Sequence, residues 1–310
     1  MKIDEAKILV IGAGVNGSTC ASVLHNGGID VTILARGKHY EEIQNDGIII
    51  ENPLKNTRSV TKVKVINTVN PGDYYDYILV IIRKNQVSEI LPVLAQNRSP
   101  NIVFLGNNLA GADEYTNALG KDRVMLGFVF AGGRREGDLI KAIRLKSVAT
   151  PLGEINGAIT PRLRRLVSIM RRGGFKVKTS TCIIDFLMTH GVGVPLFAKL
   201  VLKYKFNMCA LTKSTADLKL LVDAMRESNN VIQALGYRIV PKSVALIKIL
   251  PRFILVAGFR ALFSSKLVEV GGVYHVSQAP DEMYYLAQEL EVLVEKSGLS
   301  SPAIRKVLLM

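Results

Sequence analysis

A glycine-rich turn near the N-terminus constrains the fold more than any other feature. The apolar run Ile8–Ile11 leads into Gly12-Ala13-Gly14-Val15-Asn16-Gly17, and a second apolar, helix-forming run follows. In a strand–turn–helix unit, Gly12 permits the tight turn, Gly14 lets a pyrophosphate approach the backbone, and Gly17 allows close packing. Free backbone N–H groups at the start of the helix favour the binding of phosphate. We therefore predict that all six residues bind a dinucleotide; the alternative is a glycine-rich turn without a ligand.

The second predicted strand bears on which dinucleotide binds. Asp30–Ala35 ends in Arg36, and Lys38 follows two residues later. A strand of this kind in an NAD-binding fold usually ends in an acidic residue that binds the ribose 2′-hydroxyl. A guanidinium instead matches the geometry and charge of a 2′-phosphate. Arg36 therefore indicates NADP(H), unless it is an ordinary exposed arginine.

Two further apolar runs, Tyr77–Ile82 and Ile102–Leu105, are typical of buried parallel strands. Arg83 follows the first run and Asn107 follows the second. Ligands of open α/β sheets bind beyond the carboxyl ends of the strands. We therefore expect Arg83 near the cofactor phosphates and Asn107 near the nicotinamide.

The alternation of strands and helices predicts an α/β fold with two domains. Residues 1–180 form a Rossmann-type dinucleotide-binding domain, and residues 181–310 form a mostly helical domain. The pattern further predicts one strand over Val60–Val65, one helix over Pro195–Leu211, a helix opened by Ser214, two short helices broken at Pro251 within Val244–Phe263, and a long helix over Asp281–Lys296.

Composition narrows the class of protein. Hydrophobic residues make up 48% of the 310 residues, which is enough for a sizeable core, and the three cysteines are widely spaced. This pattern favours a reducing cytoplasm and argues against a disulfide framework or a metal site. The net charge of +14 suits a phosphate-bearing ligand, an acidic substrate, nucleic acid or an anionic membrane; the alternative is a basic solvated surface without such a partner. We expect no nucleic acid, because the scattered cations form no aromatic-rich basic motif, and no membrane, because charges and proline interrupt the apolar stretches.

The predicted helical domain carries the candidate chemistry. Lys199, Lys203 and Asn207 are spaced by four, which places them on one face if their helix is continuous. That face either meets solvent or lines a polar site, where a lysine can donate a proton to a carbonyl oxygen. Glu282 either complements the dipole of its helix or contacts a ligand. His190 is an acid, a donor to substrate or a packed core residue.

Together these motifs resemble a divergent branch of the ketopantoate reductase (2-dehydropantoate 2-reductase) family over essentially the whole chain. The resemblance rests on the residues Gly12–Gly17, Arg36, Arg83 with the nearby Gln86, Asn107, Lys199-Leu200 followed by Asn207, and Glu282.

The resemblance implies an active site between the two domains and a substrate that is a small 2-oxo acid. NADPH would reduce that acid to a 2-hydroxy acid, in the family's case 2-dehydropantoate to pantoate, a step of pantothenate biosynthesis. By the same resemblance, Lys199 donates the proton and Asn107 orients Lys199 and the nicotinamide. Glu282 binds a substrate hydroxyl or orients the lysine, and Asn207 contacts substrate. Arg83 and Gln86 join the cofactor-binding residues.

The chain departs from the family pattern close to these residues. Gly106 and Asn108 flank Asn107 in place of the usual glutamine and glycine, and Lys203 stands where a second substrate-contacting asparagine is usual. His190 lies in the divergent approach to Lys199. We expect Lys203 and His190 to contact substrate, and Lys203 would suit a second negative charge. Open alternatives are a reductase of another carbonyl or imine and a non-catalytic NADP(H)-binding sensor; a homodimer is also considered.

Overall fold

The structure is a computed structural model that describes residues 6–144 and 148–310. The sequence predicts one domain boundary after residue 180, whereas the structure also assigns the short segment 107–111 to the helical unit. The first compact unit contains the chain up to Gly106 and Ala112–Ile183, and the second contains Asn107–Gly111 and Ile184–Met310.

An eight-stranded sheet forms the centre of the first unit. Its strands, in spatial order, are β12 (Val177–Thr179), β11 (Thr150–Glu154), β8 (Val124–Gly127), β7 (Ile102–Leu105), β6 (Tyr77–Val80), β1 (Lys7–Ile11), β2 (Asp30–Leu34) and β5 (Lys64–Ile66). All neighbours pair in parallel except β8 and β11. This topology confirms the predicted Rossmann-type part of the fold.

Five α-helices accompany this sheet in the described part of the first unit. They are α1 (Val15–Asn26), α2 (Lys38–Asp46), α3 (Val87–Gln96), α4 (Asp113–Leu119) and α5 (Pro161–Arg172). All four residues of β6 and of β7 are buried, as expected of central parallel strands. Leu24 of α1 and Ile169 of α5 are also fully buried and belong to the same core.

A second, four-stranded sheet corrects one prediction. Its strands, in spatial order, are β4 (Thr57–Thr61), β3 (Ile48–Asn52), β10 (Leu139–Arg144) and β9 (Ala131–Glu136). The single strand predicted over Val60–Val65 is wrong, because this stretch contributes to both sheets. Val60 pairs with Ile49 in the small sheet, whereas Val65 pairs with Ile33 in the large one.

The glycine-rich turn joins β1 to α1, and two of its glycines pack closely against backbone atoms. Gly12 has a φ of +114°, and a Cβ built on it would lie 2.3 Å from the carbonyl oxygen of Ile81. A Cβ on Gly17 would lie 1.8 Å from the carbonyl oxygen of Gly12. Neither site accepts a side chain without movement of backbone, so these two glycines fix how the first helix packs on the sheet.

The second unit is helical, as predicted; the described residues after Thr179 contain no strand. Its helices are α6 (Ile183–Gly191), α7 (Gly193–Lys203), α8 (Met208–Lys213), α9 (Thr215–Ala234), α10 (Leu246–Ile249), α11 (Arg252–Phe263), α12 (Lys266–Val268), α13 (Tyr274–Gln278), α14 (Pro280–Ser297) and α15 (Pro302–Leu308). Ser214 caps α9, since its hydroxyl accepts from the backbone N–H of Asp217 at 3.3 Å, and Gly298 ends α14 with a φ of +65°.

The predicted helix over Pro195–Leu211 is wrong. Helix α7 ends at Lys203, and Lys205 and Phe206 take positive φ values of 47° and 65° before α8 begins. Left-handed residues end a right-handed helix and turn the chain. Asn207 therefore does not continue the face of α7 that carries Lys199.

Proline 251 separates two helices, as predicted. It is the N-cap residue of α11, and α10 ends two residues before it. Both helices leave large apolar side chains in solvent: Ile249 is 75% exposed and Phe253 is 72% exposed. A different stretch, Ile183–Lys203, is long and apolar enough to cross a membrane, and 61% of it is buried inside the protein. A core helix has the same properties, so this stretch alone does not indicate a membrane span.

The tight contact at Gly17 generates a prediction about stability. Gly17→Ala places a methyl group against the carbonyl of Gly12, so we expect a loss of about 1–3 kcal/mol in the free energy of unfolding. Gly14→Ala is the matched control, because a Cβ at Gly14 meets no atom within 4 Å. Urea unfolding of both variants beside the wild type measures the difference. Equal unfolding midpoints for the two variants would contradict this explanation of Gly17.

Candidate functional site

The glycine-rich turn has the properties of a phosphate cradle. Gly14 is the N-cap residue of α1 and, as a glycine, has no side chain to bond the N–H groups of the helix. It is exposed, with open space where a Cβ would stand. The side-chain oxygen of Asn16 is buried and has no hydrogen-bond partner within the described residues. Free N–H groups, the positive end of the helix dipole and an unused polar atom suit the pyrophosphate of a dinucleotide. The residues present therefore fit the predicted cofactor.

Arg36 lies two residues after the end of β2 and is exposed. Within the described ranges it makes no hydrogen bond or ion pair, so its guanidinium is available to a ligand. Lys38 differs, because its Nζ lies 3.6 Å from Oε1 of Glu42. Arg36 rather than Lys38 is thus the better candidate for a 2′-phosphate.

Arg135 is a residue that the sequence analysis missed. It lies on β9 of the small sheet, and its Nη2 donates to the carbonyl oxygen of Ala13 at 2.8 Å. Its Nη1 lies 3.2 Å from Oε2 of Glu42, and both side chains are largely buried. Burial lowers the pKa of Arg135, while Glu42 opposes that shift. Arg135 therefore secures the glycine-rich turn from a strand more than a hundred residues away in sequence.

The polar residues that follow β6 differ in burial. Lys84 is buried, and its Nζ donates to Oε2 of Glu114 at 2.9 Å and lies 4.9 Å from the ring centre of Tyr115. Arg83 is half-buried and has partners of its own, whereas Gln86 is exposed. Lys84 was not among the predicted site residues, and its ion pair anchors the turn that carries Arg83 and Gln86.

Asn107 and Glu282 come together in the second unit although they are 175 positions apart in sequence. Nδ2 of Asn107 donates to Oε1 of Glu282 at 3.3 Å. Glu282 occupies the first turn of α14 and is only 3% exposed. The side-chain oxygen of Asn107 is buried, with no hydrogen-bond partner among the residues that the structure describes. This arrangement leaves an acceptor ready for an N–H donor beside a buried carboxylate.

The two lysines of α7 have different surroundings. Lys199 is half-buried and makes no hydrogen bond or ion pair in the described part of the chain. Lys203 is exposed, and its Nζ donates to Oδ2 of Asp217 at 2.7 Å. Hydrogen bonds from Lys203 and Tyr204 lower the pKa of Asp217 against the opposing effect of burial. Lys203 is thus neutralised by α9, whereas the ammonium of Lys199 remains available.

Asn207 is the N-cap residue of α8, a role that the sequence pattern did not indicate. Its side-chain oxygen accepts from the backbone N–H of Ala210 at 3.0 Å and caps α8. The residue is exposed. Because α7 ends before it, the predicted row of Lys199, Lys203 and Asn207 on one helix is corrected to the two lysines alone.

His190 lies in the last turn of α6, with its ring parallel to that of Phe186 at a centre-to-centre distance of 6.1 Å. Burial lowers the pKa of His190 to about 4, and the charge of His275 contributes in the same direction. Near neutral pH the ring is therefore uncharged, which favours a packed histidine or a neutral hydrogen-bonding group over a cation for substrate.

This lowered pKa predicts how stability depends on pH. The unfolded chain binds the proton of His190 more tightly than the folded protein does, so the native state loses stability as pH falls from about 6.5 towards 4. We expect His190→Asn to reduce that loss, as measured by urea unfolding at about pH 7 and about pH 5. His39→Asn, at a histidine whose side chain is 44% exposed, is the control. The same acid sensitivity in His190→Asn and wild type would show that another group causes it.

The chain is similar to known proteins over part of its length. The model of the family described as ketopantoate reductase PanE/ApbA matches residues 8–157. A 2-dehydropantoate 2-reductase of Pyrococcus horikoshii is 36% identical over 85 residues, so the matched region spans only 27% of this chain and 27% of that relative.

Solved structures share the fold over nearly the whole chain. The 2-dehydropantoate 2-reductase of Geobacter metallireducens GS-15 has a TM-score of 0.79 at 19% identity and covers 98% of each chain. D-mandelate dehydrogenase with NADH and anilino(oxo)acetate has a TM-score of 0.78 at 16% identity, covering 98% of this chain and 96% of the other. The structural neighbours establish the fold, and the family model, which matches just under half of the chain, agrees with the resemblance seen in the sequence.

Proposed function

We propose that this protein is an NADPH-dependent reductase that converts a 2-oxo acid to a 2-hydroxy acid, with 2-dehydropantoate as the substrate and pantoate as the product. The observation that carries the proposal is the pairing of Asn107 with the buried Glu282. A buried carboxylate is costly unless it is held by donors, and such groups concentrate where ligands bind. The family match over residues 8–157 supports the same class of reaction.

The first unit supplies the residues proposed to hold NADP(H). The turn Gly12–Gly17 would hold the pyrophosphate, because Gly14 leaves open space at the N-terminal end of α1, where free backbone N–H groups favour a phosphate. Arg36 receives the 2′-phosphate through its unused guanidinium. Arg83 and Gln86 follow the carboxyl end of β6, where the cofactor of such folds lies.

The second unit supplies the residues proposed for the chemistry. Bound NADPH would provide a hydride for the carbonyl carbon of the 2-oxo acid. Lys199 would donate a proton to the carbonyl oxygen and stabilise the negative charge that develops there. Its half-buried ammonium has no competing acidic partner in the part of the chain that the structure describes, which suits that task.

Asn107 and Glu282 are proposed to orient the reacting groups. Glu282 would accept a hydrogen bond from a substrate hydroxyl or from Lys199, since a carboxylate oxygen accepts and does not donate when ionised. The free side-chain oxygen of Asn107 would take the remaining N–H donor, either Lys199 or the amide of the nicotinamide. His190 and Asn207 remain candidates for weaker contacts with substrate.

The ion pair of Lys203 with Asp217 supports a substrate with one acidic group. A second anion at Lys203 would have to compete with the carboxylate of Asp217, whose Oδ2 lies 2.7 Å from Nζ of the lysine. Ketopantoate carries a single carboxylate, which fits this arrangement better than a dicarboxylate or a phosphorylated oxo acid. The mandelate dehydrogenase shares the fold as closely as the ketopantoate reductase does, so the fold alone does not select the substrate. We also propose that the protein acts in the cytoplasm.

The proton donor is tested by substitution. Lys199→Ala should lower kcat for 2-dehydropantoate by about 10²- to 10⁴-fold, the usual contribution of a general acid. The dissociation constant for NADPH should change little, because Lys199 is not among the proposed cofactor-binding residues. Oxidation of NADPH followed at its absorbance band, with a panel of 2-oxo acids, gives kcat. Lys219→Ala, at an exposed lysine of α9, is the control.

The outcomes separate the alternatives. Loss of turnover in Lys199→Ala alone supports the proposed donor. Turnover of another oxo acid but not of 2-dehydropantoate would change the substrate and keep the reaction class. Tight NADPH binding by the wild type without turnover of any oxo acid would overturn the reductase and favour the sensor.

Cofactor choice is tested at Arg36. A charge-assisted contact with phosphate contributes about 1.5–3 kcal/mol, so Arg36→Ala should weaken NADPH binding by roughly 10- to 100-fold. Binding of NADH should change far less, because it lacks the 2′-phosphate. Fluorescence titration measures both constants, with Arg98→Ala, at an exposed arginine, as the control. Equal effects on the two cofactors would remove Arg36 from the 2′-phosphate site.

A further inference from the structure

The carboxylate of Glu282 has a second neighbour that neither the sequence analysis nor the family resemblance identified. Nε2 of His275 lies 3.4 Å from Oε2 of Glu282, on the oxygen that Asn107 does not occupy. The side chain of Glu282 is 5% exposed and that of His275 is 32% exposed. The two carboxylate oxygens are therefore held by different residues, one from the segment after β7 and one from α13.

The backbone around His275 explains why it faces Glu282. Residues Glu269–Val273 form a π-helical turn that runs into α13, and Ala279 then leaves the helical region with φ −135° and ψ 51° before α14 begins. This bend separates two helices that are contiguous in sequence. Val273 and Val276 are buried on either side of His275 and fix its helix in the core. The imidazole is thereby directed to the first turn of α14.

The chemistry of the contact favours an ionised carboxylate. An ionised carboxylate oxygen only accepts, so the contact is attractive when Nε2 carries a proton, whether the ring is neutral or charged. Hydrogen bonding or a positive charge at a carboxylate stabilises its ionised form, and so does the N-terminal turn of a helix. His190 lies within electrostatic range of His275, and burial is the main cause of the lowered pKa of His190.

We propose that His275 is a positioning residue for Glu282: together with Asn107 it holds the carboxylate from both sides, as a fixed acceptor for the substrate or for the proton donor. This inference rests on the proposed reductase function. It assigns no direct contact between His275 and substrate. His275 acts through Glu282, and its effect should disappear when Glu282 can no longer be an anion.

Two amide substitutions of different length make the test sharp. Glutamine places a side-chain N–H near the position of Nε2, whereas asparagine is shorter and does not. We expect His275→Asn to lower kcat/KM for the accepted 2-oxo acid by roughly 10- to 100-fold, as for the loss of one hydrogen bond to a charged group, and His275→Gln to retain most of it. NADPH affinity should stay within about twofold of the wild-type value in both.

A double-mutant cycle tests whether His275 acts through Glu282. In a Glu282→Gln background, His275→Asn should change kcat/KM by less than about threefold, because the partner charge is gone. The same fold-loss in both backgrounds would overturn the proposal, as would full activity of His275→Asn. A failure of His275→Gln to rescue would show that an N–H at this position is not what matters, and would also count against it.

The failure of this inference is distinguishable from that of the reductase proposal. If the wild type reduces no oxo acid, the cycle is measured on urea unfolding midpoints of the four proteins instead. Non-additive midpoints would show that His275 holds Glu282 whatever the reaction, and additive midpoints would overturn the inference. The proposed function itself is judged only by turnover of the wild type.

Discussion

Helix α14 places two carboxylates against the segment that follows β7, and the second unit depends on this contact. Glu282 accepts from Asn107, and seven residues later Oε2 of Glu289 accepts from the backbone N–H of Leu109 at 3.0 Å. Residues seven apart lie on one helix face. Leu109 is 1% exposed and belongs to the helical core. These bonds explain why 107–111, which leaves a strand of the sheet, is part of the helical unit.

The features that were predictable from sequence are those set by local chemistry. The turn Gly12–Gly17, the Ser214 cap and the break at Pro251 each depend on a few neighbouring residues, and the structure confirms their places. The wrong predictions concern places where contacts between distant residues determine the secondary structure. The strand expected over Val60–Val65 is shared between two sheets. Likewise, periodicity alone gave no sign of the left-handed residues that end α7.

The candidate site was predictable only in part, for the same reason. Helical spacing singled out Lys199, the place after a predicted strand singled out Asn107, and the family resemblance gave Glu282 a role. Arg135 and His275 gain their meaning only from contacts across the fold. The net charge of +14 also did not indicate which cations belong to a binding site. Asp217 neutralises Lys203 and Glu42 contacts Arg135, whereas Arg36 and Lys199 make no ion pair within residues 6–144 and 148–310. Arg36 and Lys199 are therefore available to a ligand, which the net charge alone does not reveal.

In the proposed reaction a hydride passes from NADPH to the carbonyl carbon of a 2-oxo acid. The most direct measurement uses NADPH carrying deuterium at C4 of the nicotinamide, with 2-dehydropantoate as the acceptor and mass spectrometry of the product. Transfer of this hydride predicts pantoate with one deuterium at C2, formed in proportion to the NADPH consumed. Product without deuterium from either C4 position, or NADPH consumption without pantoate, would contradict it.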